Sequence, residues 1–304
     1  MISYAQNAED VVLARVFAGQ ATGRYVDLGA GYPTLDSVTK HFYDLGWRGI
    51  NVEPEPTLAA ELDRARPEDV NLRVAVGAKP GTTVLHAVDG QWGRATIDDS
   101  LAAQYREDWA VRDIEVPVVT LAALLDEHPG PVDFLKIDVE GAERAVIEGA
   151  DWTRHRPRVL LVEATEPGSP KPAHHGWEPM LLDAGYRCAL FDGLNRFYAQ
   201  SGDADALTAL SAPANVFDDY EPHAVVLLRE ETRQSRPAEV AYIRRLEAAV
   251  KTAEEGRAEL GEQLEDHRRQ LEQARRQAEE TRRRSAALEH RVAELEAQLD
   301  ARRS

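Results

Sequence analysis

Short apolar runs alternate with longer stretches in which apolar residues recur every three or four positions. The runs fall at residues 25–28, 49–53, 72–76, 134–139, 159–163 and 186–191, and they are rich in β-branched and aromatic side chains. Such runs, apolar on both faces, predict strands buried on both sides. Between them the helical period predicts helices over 35–45, 57–66, 121–127, 142–149 and 177–184. The first twenty residues read as an amphipathic helix with Val11, Val12, Leu13, Val16 and Phe17 on its apolar face. Strand–helix alternation of this kind predicts an α/β fold built on a doubly wound, Rossmann-like parallel sheet. Ligands of such sheets bind beyond the carboxyl ends of the strands.

The pattern changes near Pro237, after which there is no proline and the only glycines are Gly256 and Gly261. A heptad frame runs through this tail. Ile243, Val250, Leu264, Leu271, Val292 and Leu299 occupy one seam position, and Leu246, Leu260, Leu288 and Leu295 the other; Arg257 and His267 interrupt the seam. The repeat predicts a coiled coil, in rod form on the order of 100 Å long at about 1.5 Å per residue. The expected division is a globular domain at 1–226, a linker at 227–237 and a coiled-coil helix at 238–304, through which two copies pair as a homodimer.

Charge separates the same parts. The first 230 positions hold 37 acidic and 20 basic residues, so the whole net charge of −17 lies there. A body so acidic repels phosphate backbones, which argues against a nucleic-acid substrate. One cysteine, Cys188, excludes an intramolecular disulfide and a thiolate metal cluster. The N-terminus shows no signal-peptide pattern and no run is long enough to span a membrane, so a cytoplasmic protein is expected.

Candidate chemistry gathers at strand ends. The run Tyr25-Val26-Asp27-Leu28 is followed by Gly29, Ala30 and Gly31, and the next run closes on Glu53 and Pro54, with Glu53 22 residues after Gly31. Glycines let a ligand approach the main chain, and a carboxylate closing the second strand can accept bonds from both hydroxyls of a ribose. NAD(P) and S-adenosylmethionine sites share this plan. The position three past Gly31 is Thr34 rather than the glycine that seats a pyrophosphate, which favours S-adenosylmethionine over the cofactor of an NAD(P)-dependent oxidoreductase.

The pieces Gln6-Asn7-Ala8-Glu9-Asp10, Tyr25–Ala30 (YVDLGA), Asn51-Val52-Glu53-Pro54 and Asp133–Glu143 (DFLKIDVEGAE) together resemble the FkbM family of S-adenosylmethionine-dependent methyltransferases over roughly Ser3 to Tyr220. Asp192–Tyr198 (DGLNRFY) and Pro213–Asp218 (PANVFD) resemble a subgroup associated with bacterial polysaccharide and glycan pathways. The resemblance implies a seven-stranded methyltransferase sheet ending in a hairpin near 186–198. It implies Asp27, Gly29 and Gly31 on the methionine side of the cofactor, Glu53 on the ribose, and Pro54 and Ala75 near the adenine. Pro33 stands where the family loop has a third glycine. Asp138 is the first candidate for the general base of an O-methyltransferase acting on a small-molecule or glycan hydroxyl; Glu163, His174 and His175 are further candidates. Asp138 has a competing role as the cap of the helix near Gly141, and Lys136 as a partner of Glu140 or Glu163. A Mg²⁺ site at Asp138 and Glu163 is not expected, because no Asp-Asn pair follows. A non-catalytic scaffold for a biosynthetic assembly is the remaining alternative, against which the presence of Asp27, Glu53 and Asp138 speaks.

Overall fold

The computed structural model describes residues 1–90, 95–234 and 237–301. The chain divides into two compact units, Met1–Leu228 and Arg229–Ser304. The first is built on a seven-stranded sheet of β1 (Arg24–Leu28), β2 (Arg48–Val52), β3 (Val70–Leu72), β4 (Phe134–Ile137), β5 (Val159–Glu163), β6 (Tyr186–Phe191) and β7 (Asn195–Gln200). Their order across the sheet is β6-β7-β5-β4-β1-β2-β3. β1 to β5 are parallel, and β7 runs antiparallel to both β5 and β6. The chain builds outward from β1 through β2 to β3, then returns to the other side of β1 to lay down β4. That reversal opens a crevice at the carboxyl ends of β1 and β4.

Alternate side chains along each strand enter two separate cores. Val26, Leu28, Leu135, Ile137, Leu160 and Val162 face Leu121, Leu124, Val146, Ile147 and Leu181. Tyr25, Phe134, Val159, Leu161 and Phe197 face Val12, Leu13, Phe17, Phe42 and Trp47. Each large apolar side chain so buried contributes about 1.5–3 kcal/mol, which is why these strands carry no polar alternation. The second core is aromatic, with Phe42 4.9 Å from both Trp47 and Phe134, centroid to centroid. Two polar residues, Asp27 and Lys136, sit side by side in register on that face.

Several elements differ from the sequence expectation. The run 72–76 splits: β3 stops at Leu72, and Ala75–Val76 enters a second, four-stranded sheet with Val111–Val119, Gly81–Val88 and Ala95–Thr96. Residues 91–94 lie outside the described residues, and Ala95–Thr96 are a strand. The polar outer faces of this sheet, exposed at Thr82, Asp113 and Glu115, hide its strands from a search for apolar runs. The expected linker at 227–237 is helical as far as it is described before Pro237, within His223–Gln234, since no Gly or Pro interrupts it. In the second unit, Pro237–Ala301 is one helix of 65 residues. Among the described residues no helix is long and apolar enough to cross a membrane.

The helix expected over 35–45 shortens to Lys40–Asp44, because the chain ahead of it is tied down by Arg66. This arginine is 1% exposed. Its guanidinium donates to the Pro33 carbonyl, to Ser37 Oγ at 2.8 Å and to Thr39 Oγ1 at 3.0 Å. It lies 3.9 Å from Asp69, whose carboxylate accepts from Tyr25 Oη, Gly49 N and Asn51 Nδ2. Arg66→Ala would strand that carboxylate and release the loop, at a cost of about 3–5 kcal/mol. We expect a correspondingly lower urea midpoint at unchanged slope.

Candidate active site

Strand register assembles the site. Leu28 pairs with Val52 and with Ile137, and Ile137 pairs with Val162. One residue further along each strand, Glu53, Gly29, Asp138 and Glu163 form a single row at the carboxyl edge. Backbone bonds continue into this row: Gly29 N donates to Val52 O at 3.0 Å, Glu53 N to Leu72 O at 3.0 Å and Asp138 N to Leu28 O at 3.1 Å. At about 4.8 Å per strand the row extends on the order of 14 Å. All four positions line one cavity of about 610 Å³, within the range of small-molecule sites.

Gly29 makes the row passable. It has φ +74°, and a Cβ there would lie 1.8 Å from the Asp138 carbonyl oxygen. Gly31, at φ +58°, is different: a Cβ there would meet nothing within 4 Å, so its main chain faces open cavity. Glu53 is buried and accepts from Gly31 N through Oε2 and from Glu55 N through Oε1, both at 2.9 Å. Burial pushes its carboxyl up to about 7, against the lowering effect of those two backbone bonds. Each oxygen retains acceptor capacity toward the cavity.

Lys136 lies beneath the row and joins it together. Its ammonium donates to the Gly29 carbonyl at 2.8 Å and sits 3.2 Å from Asp27 Oδ1 and 3.3 Å from Asp138 Oδ2. Burial opposes its charge, but the Asp27 and Asp138 carboxylates outweigh burial and raise its pKa. Asp27 does not line the cavity. It is 1% exposed, behind Lys136, and its Oδ2 accepts from Thr39 Oγ1 at 2.9 Å. The expectation that it borders the cofactor directly is therefore replaced by a role through Lys136, whose partners are these two aspartates rather than Glu140 or Glu163.

Asp138 does not cap the following helix. That helix, Glu143–Glu148, begins without a side-chain cap, and the carboxylate of Glu143 instead accepts from Val139 N and Gly141 N, both at 3.1 Å. Asp138 is thereby left to the cavity. Glu163 is buried and lines the cavity, and its Oε2 has no hydrogen-bond partner in the protein. Burial, then the Asp138, Glu140 and Glu143 carboxylates, raise its pKa far above the usual carboxylate range. That shift favours the protonated carboxyl, which can donate a hydrogen bond as well as accept one. His175 is exposed and off the cavity, its ring tilted against that of His174 at 4.1 Å between centroids.

The adenine-side expectations, Pro54 and Ala75, both line the cavity, beside Val74, Val76 and Leu58. The second sheet contributes Leu85 and Ala95 to the wall, and the segment and helix that follow Thr96 contribute Ile97 and Tyr105, residues that no sequence motif marked. Lys136 was readable in part: a lysine inside an otherwise apolar buried strand needs carboxylate partners, and the nearest strand-end acids supply them.

The family model for the methyltransferase FkbM domain matches residues 27–188, more than half of the 304 residues. The chain belongs to the FkbM methyltransferase family. A search of curated proteins found no match. Among solved structures, a TehB-like SAM-dependent methyltransferase from Corynebacterium glutamicum is 9% identical, over 63% of this chain and 87% of that one, with a TM-score of 0.35. CalO1, a methyltransferase in calicheamicin biosynthesis in its SAH-bound form, is 15% identical over 64% of this chain and 54% of its own, with a TM-score of 0.30. Likeness at that level places no residue. S-adenosylmethionine is the cofactor of the FkbM domain, and the cavity fits it. A buried carboxylate with spare acceptor capacity, a bare glycine main chain and an apolar wall match its ribose, its chain and its adenine.

Lys136→Met would leave Asp27 as a buried charge without a counterion. The loss should approach about 3–5 kcal/mol of stability, mostly from the Asp27 side because Asp138 is 35% exposed. Chemical denaturation of the variant checks it.

Proposed function

We propose that this FkbM domain transfers a methyl group from S-adenosylmethionine to a hydroxyl oxygen of a sugar, glycan or other hydroxylated small molecule. The observation that carries the reading is the row Glu53–Gly29–Asp138, in which an acceptor of ribose hydroxyls and an ammonium-anchored carboxylate are separated by one bare glycine. When bound, the cofactor supplies an electrophilic methyl group on a sulfonium centre. Everything else falls to the chain. Glu53 receives the ribose hydroxyls, and Gly29 and Gly31 leave the main chain open beside it. Pro54, Ala75 and Leu58 enclose the adenine. Asp138, held through Oδ2 by Lys136, presents its carboxylate to the incoming hydroxyl and accepts its proton. Catalysis then rests on positioning, since the electrophile comes ready-made.

The nicotinamide reading has no support in the site. The segment after Gly31 offers no third glycine, and Arg66 occupies the Pro33 carbonyl that ends the turn. Against a bare scaffold stands the complete row of carboxylates in a formed cavity.

Glu53 gives the test. Two charge-assisted bonds of about 1.5–3 kcal/mol each make Glu53→Ala lose on the order of a hundredfold or more in S-adenosylhomocysteine affinity by calorimetry, with the circular dichroism unchanged. Hydroxyl donors favour the ionised carboxyl, whose pKa in the free protein is about 7. Affinity should therefore climb as pH rises through 7 and level off above it, and Glu53→Gln should flatten the profile. Unchanged affinity in Glu53→Ala would sink the ribose assignment.

We also propose that the C-terminal helix pairs two copies of the chain as a coiled coil. Along Pro237–Ala301, seam residues Leu246, Val250, Leu260, Leu264 and Leu271 are each between 47% and 64% exposed in the single chain, an apolar stripe that a second helix would cover. Truncation before Pro237 should leave a monomer in sedimentation equilibrium while the full chain is a dimer. A truncated chain that stays dimeric would refute this role.

A further inference from the structure

The row described above continues one strand past Asp138, and the mechanism has no use for what stands there. Glu163 closes β5 in register with Asp138, so the two carboxyls rise from the same face of neighbouring parallel strands, about 4.8 Å apart at the main chain. Its side chain is more than nine-tenths buried, yet Oε2 meets no donor or acceptor of the protein. Buried polar atoms are seldom left so. Glu163 borders the cavity one strand beyond Asp138 from Glu53, and Thr165, Ser169 and Gly193 also line that cavity. A group held there by so many neighbours and bonded to none is shaped for a ligand.

We propose that Glu163 is the specificity-determining residue of the acceptor half, its carboxyl reaching the second oxygen of a vicinal diol whose first oxygen lies at Asp138. The inference rests on the methyltransferase reading and narrows its acceptor. Adjacent carboxyls call for adjacent oxygens on the ligand. Their surroundings differ: Asp138 lies against an ammonium, whereas burial and the Asp138, Glu140 and Glu143 carboxylates around Glu163 favour its protonated form. Asp138 therefore accepts from the hydroxyl that is methylated, and Glu163 donates to the oxygen beside it. A donor so placed registers the acceptor and fixes which of two neighbouring hydroxyls meets the methyl group. An isolated alcohol leaves Glu163 buried and unsatisfied, and so binds less well.

The experiment uses the full chain, labelled S-adenosylmethionine, and matched probes: the vicinal cyclohexanediols and methyl glycosides against cyclohexanol. Calorimetry with S-adenosylhomocysteine runs alongside. Wild type, Glu163→Gln and Glu163→Leu should bind S-adenosylhomocysteine equally, because Glu163 lies away from the ribose. Wild type should methylate vicinal diols in preference to cyclohexanol. Glu163→Gln, which keeps an N–H donor, should retain that preference. Glu163→Leu should lose it, with the KM for the diol rising on the order of tenfold or more and the reaction at saturation much less affected. Equal methylation of cyclohexanol, a preference that survives in Glu163→Leu, or no methylation of any diol by a protein that binds S-adenosylhomocysteine would each overturn the assignment. Failure of the wild type to bind S-adenosylhomocysteine would instead strike the cofactor reading, and this inference with it.

Discussion

An ammonium inside a parallel sheet holds this domain's site together. Lys136 sits mid-strand in β4 where every neighbour along the strand is apolar, and burial of its charge is tolerated only because two carboxylates and a carbonyl receive it. Those partners come from different places: Asp27 from β1, Gly29 from the turn after it, and Asp138 from the end of β4 itself. One cation thereby fixes the spacing between the turn beside the cofactor and the carboxylate that faces the acceptor. With an apolar residue at 136 the turn and Asp138 would meet only through the main chain, where Asp138 N donates to Leu28 O. Removing one member of such a cluster costs more than the cluster contributes, since what remains is a buried charge of the opposite sign.

Three carboxyls along the same edge are made different by what surrounds them. Glu53 meets two backbone N–H groups and titrates near neutrality. Asp138 meets the Lys136 ammonium. Around Glu163, burial and other carboxylates outweigh the Lys136 ammonium and raise its pKa. Residue type alone would give all three one role. On the proposed reading, the row divides in strand order into an acceptor of hydroxyl donors, a proton acceptor and a proton donor.

Much of this was legible in the chain. Asp27, Glu53, Asp138 and Glu163 each close an apolar run, and in a parallel sheet run-ends converge on one edge. What stayed hidden depends on contacts distant in sequence. The separation of Asp27 from the cavity follows from Lys136 lying over it, a fact of strand order and not of motif. The Pro33 turn is held through its carbonyl by Arg66, 33 residues away. The second sheet escaped notice because its strands expose one face, so that Thr82, Asp113 and Glu115 interrupt the apolar pattern. His175 lies exposed in the short 3-10 helix His174–Gly176, away from the cavity lining, a placement its sequence neighbours do not encode.

That second sheet also bears on the catalytic edge. Thr96, on its short strand, donates through Oγ1 to the carbonyl of Glu140 at 2.9 Å, and Glu140 holds a left-handed backbone, φ +52°, that a non-glycine residue adopts at some cost. Gly141 follows at φ +98°, and Glu143 ties down the N–H groups on either side of Glu140. The turn after Asp138 is thus fixed from two directions, by the helix ahead of it and by the sheet beside it. Since Leu85 and Ala95 of the same sheet border the cavity, any shift of that wall is transmitted to the backbone that carries Asp138. The wall of the cavity and the turn after Asp138 are therefore joined directly, through the bond from Thr96 Oγ1 to the Glu140 carbonyl.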